Sequence, residues 1–140
     1  MTSTDMTQDE REAFLADVHV GILSIERTGK GPLALPVWYQ FEAGEVIISI
    51  DGNSAKAKLL RRHGRATLTV QNETPPYRYV MIEGPVTVAH ENRDGLPLAV
   101  RYLGEEIGEW YARRNPPTEN SAIARLTPVH WLTTDYGKTI

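Results

Sequence analysis

Apolar positions along this chain come mostly in short runs rich in β-branched residues, one of them (Arg65 to Gln71) alternating with a period of two, separated by turns rich in Gly, Pro, Asp and Asn. That pattern predicts strands with a few short helices between them. The first element is an exception. Thr7-Gln8-Asp9-Glu10 reads as a capping box, and a short amphipathic helix should follow, burying Phe14 and Leu15. From His19 to Glu26 the β-branched content rises, and Val18, Val20, Ile22 and Ile25 predict a strand. Thr28 to Pro32 turns, Leu33 to Phe41 resumes an extended pattern, and Glu42-Ala43-Gly44 turns again into Val46 to Ile50. Three strands joined this closely predict an antiparallel meander.

Asp51-Gly52-Asn53 breaks the sheet pattern, and Ser54 to Arg62 is rich in helix formers, with Gly64 where a C′ glycine belongs. Arg65 to Gln71 alternates, placing Ala66, Leu68 and Val70 on one face. Tyr77 to Ala89 reads as a long strand with a bend or bulge at Gly84-Pro85. Leu96 to Leu103 and Glu105 to Arg114 predict two short helices, and Ala122 to Thr134 a final strand. The expected class is mostly β (α+β): a closed or split β-barrel of about six antiparallel strands with short peripheral helices, one domain over residues 1–140. A β-sandwich is the alternative. A doubly wound parallel sheet is disfavoured, because helices do not alternate regularly with strands.

Composition narrows the functional classes. With no cysteine, disulfides, thiolate catalysis and zinc–sulfur sites are excluded. The formal charge of −3, from 15 basic and 18 acidic residues, argues against nucleic-acid binding, which favours a basic surplus. The start of the chain is polar and acidic, without an apolar signal core, and no apolar run approaches the roughly 20 residues that span a bilayer. These features predict a soluble, cytoplasmic protein with no membrane contact.

Most chemical motifs are missing. His19, His63, His90 and His130 are scattered without metal-ligand spacing, so no metal site is expected. Gly29-Lys30 lacks the flanking residues of a phosphate-binding loop, and neither G-x-G-x-x-G nor G-x-S-x-G occurs. What survives is Asp51 to Lys58. A strand feeds a tight polar loop, Ser54 stands at the N-cap of a helix, and the free amides of that helix start favour an anion. Lys56 and Lys58 oppose the helix dipole in the first turns unless a phosphate offsets them. A solvated basic face continuing through Arg61 and Arg62 is the ordinary alternative. Trp38, in Pro36-Val37-Trp38-Tyr39, and Trp131 could complete a pocket or serve as core filler. Pro75-Pro76-Tyr77-Arg78-Tyr79 is a stiff aromatic segment suited to a pocket rim or a subunit contact.

Together these segments resemble the split β-barrel flavin- and deazaflavin-binding proteins related to pyridoxamine 5′-phosphate oxidase. The resemblance runs in order through Gly21-Ile22-Leu23-Ser24, Leu35 to Tyr39, Val46 to Ile50, Ser54 to Arg62 and Arg65 to Val70. Pro75 to Gly84 is the most specific part, and Ala124 to Pro128 is a weaker match. It is most similar to the branch that binds the deazaflavin F420, with FMN as the alternative cofactor. The resemblance implies a homodimer with cofactor sites at the subunit interface. It implies that Ser54, Lys56 and Lys58 hold the cofactor phosphate. Pro36, Val37 and Trp38 would line the isoalloxazine, Ser49 and Ile50 would lie beside the ribityl chain, and Trp131 would come from the partner subunit. The end of the chain, Arg125 to Leu132, lacks the Arg- and His-bearing strand of true pyridoxamine phosphate oxidases, so that reaction is not expected. Leu59 also replaces an asparagine common in the family.

The implied activity is a reductase passing hydride from reduced F420 to an unsaturated small molecule. Tyr77, Tyr79 or water would supply the proton, and no catalytic residue is assigned. An FMN-dependent oxidoreductase and a non-catalytic flavin or F420 carrier are the alternatives. Glu91 to Ser121 has no readable role.

Overall fold

A computed structural model of the chain describes residues 4–140. The elements are α1 (Gln8–Ala16), β1 (Gly21–Ile25), β2 (Leu33–Val37), β3 (Gln40–Glu42), β4 (Glu45–Asp51), α2 (Ala55–His63), β5 (Arg65–Gln71), β6 (Arg78–His90), α3 (Leu96–Leu103), α4 (Glu105–Arg114), β7 (Ser121–Leu126) and β8 (His130–Asp135). A 3-10 turn, Tyr136–Thr139, closes the chain. All strand pairs are antiparallel, in the order β2-β1-β5-β6-β7-β4-β3, with β8 on β6. The 13-residue β6 is the spine of the curled sheet. Its first half pairs with β5 and β8, and its second half, from Val86 to His90, pairs with β7. This is the split-barrel arrangement expected from the sequence.

Two details differ from expectation, and each has a local cause. The extended run Leu33 to Phe41 is two strands, because Tyr39 is wholly buried and bonded elsewhere. Its N–H donates to the Tyr102 hydroxyl at 3.0 Å, and its own hydroxyl donates to the Leu15 carbonyl at 2.8 Å. So β2 stays on β1, β3 moves to β4, and the predicted three-stranded meander does not form. The run Ala122 to Thr134 is likewise two strands, giving eight among the described residues rather than about six. It breaks where Thr127 to Val129 crosses over Gly84. There the Thr127 N–H donates to the Pro85 carbonyl (3.0 Å) and the Val129 N–H to the Glu83 carbonyl (2.8 Å).

Alternation puts Leu23, Ile25, Ala66, Leu68, Val70, Val80 and Ile82 in one core with Val46, Ile48, Ile50, Ala122, Ala124 and Leu126. Phe14 and Leu15 of α1, with Ala57 and Leu60 of α2, belong to the same cluster. Burial of that apolar surface is the main source of stability. Among the described residues, no helix is long and apolar enough to cross a membrane.

The capping box of α1 is present as the sequence predicts. The Glu10 N–H donates to Thr7 Oγ1 (3.2 Å), and the Thr7 N–H donates to Glu10 Oε1 (2.8 Å). Lys138 Nζ reaches the same carboxylate at 2.7 Å and so ties the end of the chain to α1. The Lys138 ammonium and the Thr7 amide hold the Glu10 pKa down, from 4.5 to about 2. A depressed carboxyl stabilises the fold above its unfolded pKa, and that contribution is lost as pH falls through the folded value. Acid unfolding of the wild type should therefore steepen between pH 4.5 and about 2, and Glu10→Gln should flatten that part of the profile. Superimposable acid-unfolding profiles would show the latch to be energetically silent.

Candidate functional site

The loop after β4 folds on itself before α2 begins. The Asn53 N–H donates to Asp51 Oδ1 (2.9 Å), and the Ser54 N–H and hydroxyl both donate to the Asp51 carbonyl (3.0 and 2.7 Å). Ser54 Oγ accepts the Ala57 N–H at 3.1 Å and so caps the helix. Arg61 Nη1 donates to the Gly52 carbonyl at 2.6 Å, pinning the loop from below. Among the described residues, the amides of Ala55 and Lys56 have no partner, which leaves part of the helix's positive end available.

Lys56 projects from this start into a cleft of about 420 Å³. The floor is the end of the β4–β7 ladder, where Ser49 pairs with Ile123 and Ile50 with Ala122. One side is Pro36, Val37 and Trp38 at the end of β2. The other is the segment that had no readable role, whose α3 and α4 form a helical hairpin and supply Leu98, Ala99, Tyr111 and Ala112. That hairpin is tightly made. A Cβ on Gly108 of α4 would sit 2.7 Å from the Val100 Cα of α3, so only glycine permits this backbone approach.

Tyr102 fastens α3 to the barrel. Its hydroxyl accepts the Tyr39 N–H (3.0 Å) and lies within donor reach of the carbonyls of His19 (2.7 Å) and Tyr39 (3.1 Å). Its ring stacks on Trp38, with centroids 4.9 Å apart and planes 3° from parallel. Arg101 adds hydrogen bonds to the carbonyls of Ala16 and Asp17 at 3.0 and 2.8 Å. Tyr102→Phe strands the Tyr39 amide and should cost about 1–3 kcal/mol. Chemical denaturation measures the loss, and faster amide exchange at Tyr39 should accompany it. An unchanged midpoint would mean that water replaces the hydroxyl without penalty.

Three charged side chains line the cleft: Lys56, Glu91 and Arg93. Arg93 bonds Glu42 (2.7 Å) and Gln40 (3.2 Å), while Glu91 pairs with Arg125 at 3.0 Å. The Arg125 guanidinium holds the Glu91 carboxyl below its ordinary pKa. Lys56 has no hydrogen bond or ion pair among the described residues, and burial alone lowers its pKa. It is a half-buried, uncompensated cation.

Of the residues singled out in the sequence, Pro36, Val37, Trp38, Ser49, Ile50 and Lys56 converge on this cleft. Ser54 lies behind it as the helix cap. Lys58 is exposed and lies outside the wall, because two residues along a helix rotate a side chain by about 200°. Trp131 packs against the core under the Arg11 guanidinium, 4.1 Å from the ring centre. Tyr77 and Tyr79 share a separate hollow with Tyr136, so neither stands where a proton donor for this cleft would. Sequence reasoning missed Tyr111, Glu91, Arg93 and the hairpin wall. The aromatic pair Trp110-Tyr111 before Asn115-Pro116-Pro117 was the available signal. A second hollow of about 650 Å³ holds none of the candidates, and its His63 and Arg65 both turn to Glu26 (3.1 and 3.7 Å).

The profile of the pyridoxamine 5′-phosphate oxidase family matches residues 7–135. Among solved structures, the conserved hypothetical protein Rv2991 from Mycobacterium tuberculosis is similar at a TM-score of 0.83 and 21% identity, over 99% of this chain and 91% of its own. An F420 reductase gives 0.70 and 19%, over 86% of this chain and 94% of its own. An FAD-binding protein from Mesorhizobium loti gives 0.66 and 14%, over 91% and 94%. At these identities the likeness is one of fold. No curated protein sequence matches the chain significantly.

Proposed function

The chain belongs to the pyridoxamine 5′-phosphate oxidase family, and on that premise we propose that it is an oxidoreductase seating a deazaflavin of the F420 type in the cleft at Lys56, with FMN as the alternative. The observation that carries this reading is the unpaired Lys56 ammonium beside two free helix amides, at one end of a cleft walled by Trp38, Pro36 and Ile50. A half-buried cation without a partner is costly unless an anion completes it. A flat ring bearing a phosphate satisfies both ends of the cleft. F420 is preferred because the segments Ser54 to Arg62 and Pro75 to Gly84 resemble that branch.

When bound and reduced, the cofactor supplies a hydride, and the acceptor's double bond takes up that hydride and one proton from water. The chain's own residues bind and orient. Lys56 and the α2 amides hold the phosphate, Ser54 fixes the helix start, and Lys58 adds a longer-range, salt-screened charge. Pro36, Val37, Trp38, Ser49 and Ile50 confine the ring.

A second copy of the chain is proposed to complete the site. In register across the outer face of the sheet stand Pro36, Ile22, Thr69, Met81 and Leu132. Ile22 and Leu132 are exposed, and Pro36 also lines the cleft, so this row runs from the cleft edge onto open surface. Leu132 faces outward where Trp131 does not, which makes it the better candidate for a contact across the interface.

Fluorescence titration of the purified chain with F420 and with FMN tests the cofactor, and sedimentation tests the dimer. Micromolar binding of F420 supports the leading reading, and tighter binding of FMN transfers it to the alternative. Binding of neither overturns it. Cofactor binding without reoxidation by any enone, lactone or quinone leaves a carrier.

A further inference from the structure

Hydrogen bonds account for the amides of the turn after β4 one by one. The Gly52 N–H donates to the Asn120 carbonyl (2.7 Å), the Asn53 N–H to Asp51 Oδ1 (2.9 Å) and the Ser54 N–H to the Asp51 carbonyl (3.0 Å). The Ala57 and Lys58 N–H groups donate to the Ser54 hydroxyl and carbonyl, each at 3.1 Å. Among the described residues this leaves the amides of Ala55 and Lys56 free, and their direction depends on how the turn is held. Gly52 is the tightest point of that turn. It is buried, and a Cβ there would lie 2.9 Å from His90 Cε1 and 3.0 Å from the Asn120 carbonyl oxygen. Asn120, on the loop between α4 and β7, holds its N–H, and Arg61 Nη1 holds its carbonyl at 2.6 Å. Arg61 stands about two turns after Ser54 and reaches back, because helical side chains lean toward the N-terminus. Among the described residues it has no ion pair, and it lies outside the cleft wall.

We infer that Arg61 is a positioning residue for the cofactor phosphate: by holding the Gly52 carbonyl, it keeps the free amides of Ala55 and Lys56 and the Lys56 ammonium together as one preformed anion seat. It does so without touching the ligand. A bond from a charged donor is stronger than a neutral one, and here that donor goes to a backbone carbonyl rather than to a carboxylate. Order that exists before the ligand arrives does not have to be created on binding, which is how preorganisation raises affinity. The inference rests on the function proposed above only in taking a phosphate ester as the ligand of those amides. Arg62 is the natural control. It carries the same charge, is exposed, and has no hydrogen bond or ion pair among the described residues. Arg61 is exposed too, so its replacement should leave the core folded, and a thermal melt checks this.

The test compares wild type, Arg61→Met, Arg61→Lys and Arg62→Met. Each is titrated with FMN against riboflavin, and with F420 against its phosphate-free parent deazaflavin. Arg61→Met should weaken the phosphate-bearing ligand roughly three- to tenfold, the range for one lost hydrogen bond, and leave the phosphate-free parent within about twofold. Arg61→Lys, which keeps a charged donor, should recover part of that loss. Arg62→Met should stay within about twofold for every ligand, as an exposed, unpaired charge does. In the ligand-free chain, amide exchange at Gly52 and Ser54 should quicken roughly three- to tenfold in Arg61→Met and not in Arg62→Met. Equal weakening of a ligand and its phosphate-free parent would make Arg61 merely structural and overturn the inference. So would equal losses in Arg61→Met and Arg62→Met, or unchanged exchange at Gly52 and Ser54. Those outcomes leave the cofactor reading standing, because wild type still binds. Wild type that binds none of the four ligands overturns that reading, and this inference with it.

Discussion

Gly84→Ala is expected to destabilise the protein more than any other single methyl group added to it. A Cβ at Gly84 would lie 1.8 Å from the Thr127 carbonyl oxygen, 2.9 Å from its carbon and 3.2 Å from the Val129 nitrogen. All three are backbone atoms, so no side-chain rotation relieves the clash. The segment cannot simply lift away, because the Thr127 and Val129 amides donate to Pro85 and Glu83 on either side of the glycine. Relief means breaking the point where β7 passes into β8. The expected cost exceeds about 3 kcal/mol, at the upper end for overpacking, with a fall in Tm of roughly 10 °C. Gly31→Ala is the control, since nothing lies within 4 Å of the added carbon there. A melting temperature within about 2 °C of wild type for Gly84→Ala would show that the crossing is looser than drawn. The loss should also reach the site, because β7 carries Ala122 and Ile123 of the cleft floor.

Lys56→Ala should weaken cofactor binding by about ten- to hundredfold, the range for removing a charged partner from a phosphate. Lys58→Ala should change it by less than about threefold, because an exposed charge outside the wall acts only through screened solvent. Stability should move the other way. The Lys56 ammonium carries a burial penalty without compensation in the ligand-free chain, so Lys56→Met should melt at the same temperature or higher. The pH dependence has a fixed sign. Burial depresses the folded-state pKa below 10.5, so the unfolded chain binds more protons in the window just below that value, and stability should rise with pH there. Lys56→Met should lose that rise, and a bound phosphate should oppose it by drawing the pKa back up. An equal loss of affinity in both alanine variants would point to a diffuse basic helix face instead.

Much of this was readable from local pattern. The period-two run of β5 announces its inward face directly, because alternate side chains of a strand must point opposite ways. The cap at Ser54 and the glycine at Gly64 bound α2 to the residue, since the side-chain oxygen and the left-handed backbone (φ 67°) are local requirements. Lys56 was legible for the same reason: its place in the first turn of a capped helix is a matter of adjacent residues.

What remained hidden depends on long-range contacts. Leu33 to Phe41 looks continuous because nothing near Tyr39 in the sequence shows that its amide is taken by Tyr102, 63 residues away. Lys56 and Lys58 look equivalent until the helix turns one toward the cleft and the other to solvent. By itself the sequence determined where most of the extended segments lie and the caps of α1 and α2, because these follow from side-chain character and local hydrogen bonding. Only the tertiary structure decided which half-sheet each strand joins, that the α3–α4 hairpin walls the cleft, and which cation is left without a partner. Those outcomes are set by packing and charge pairing between segments far apart in the chain.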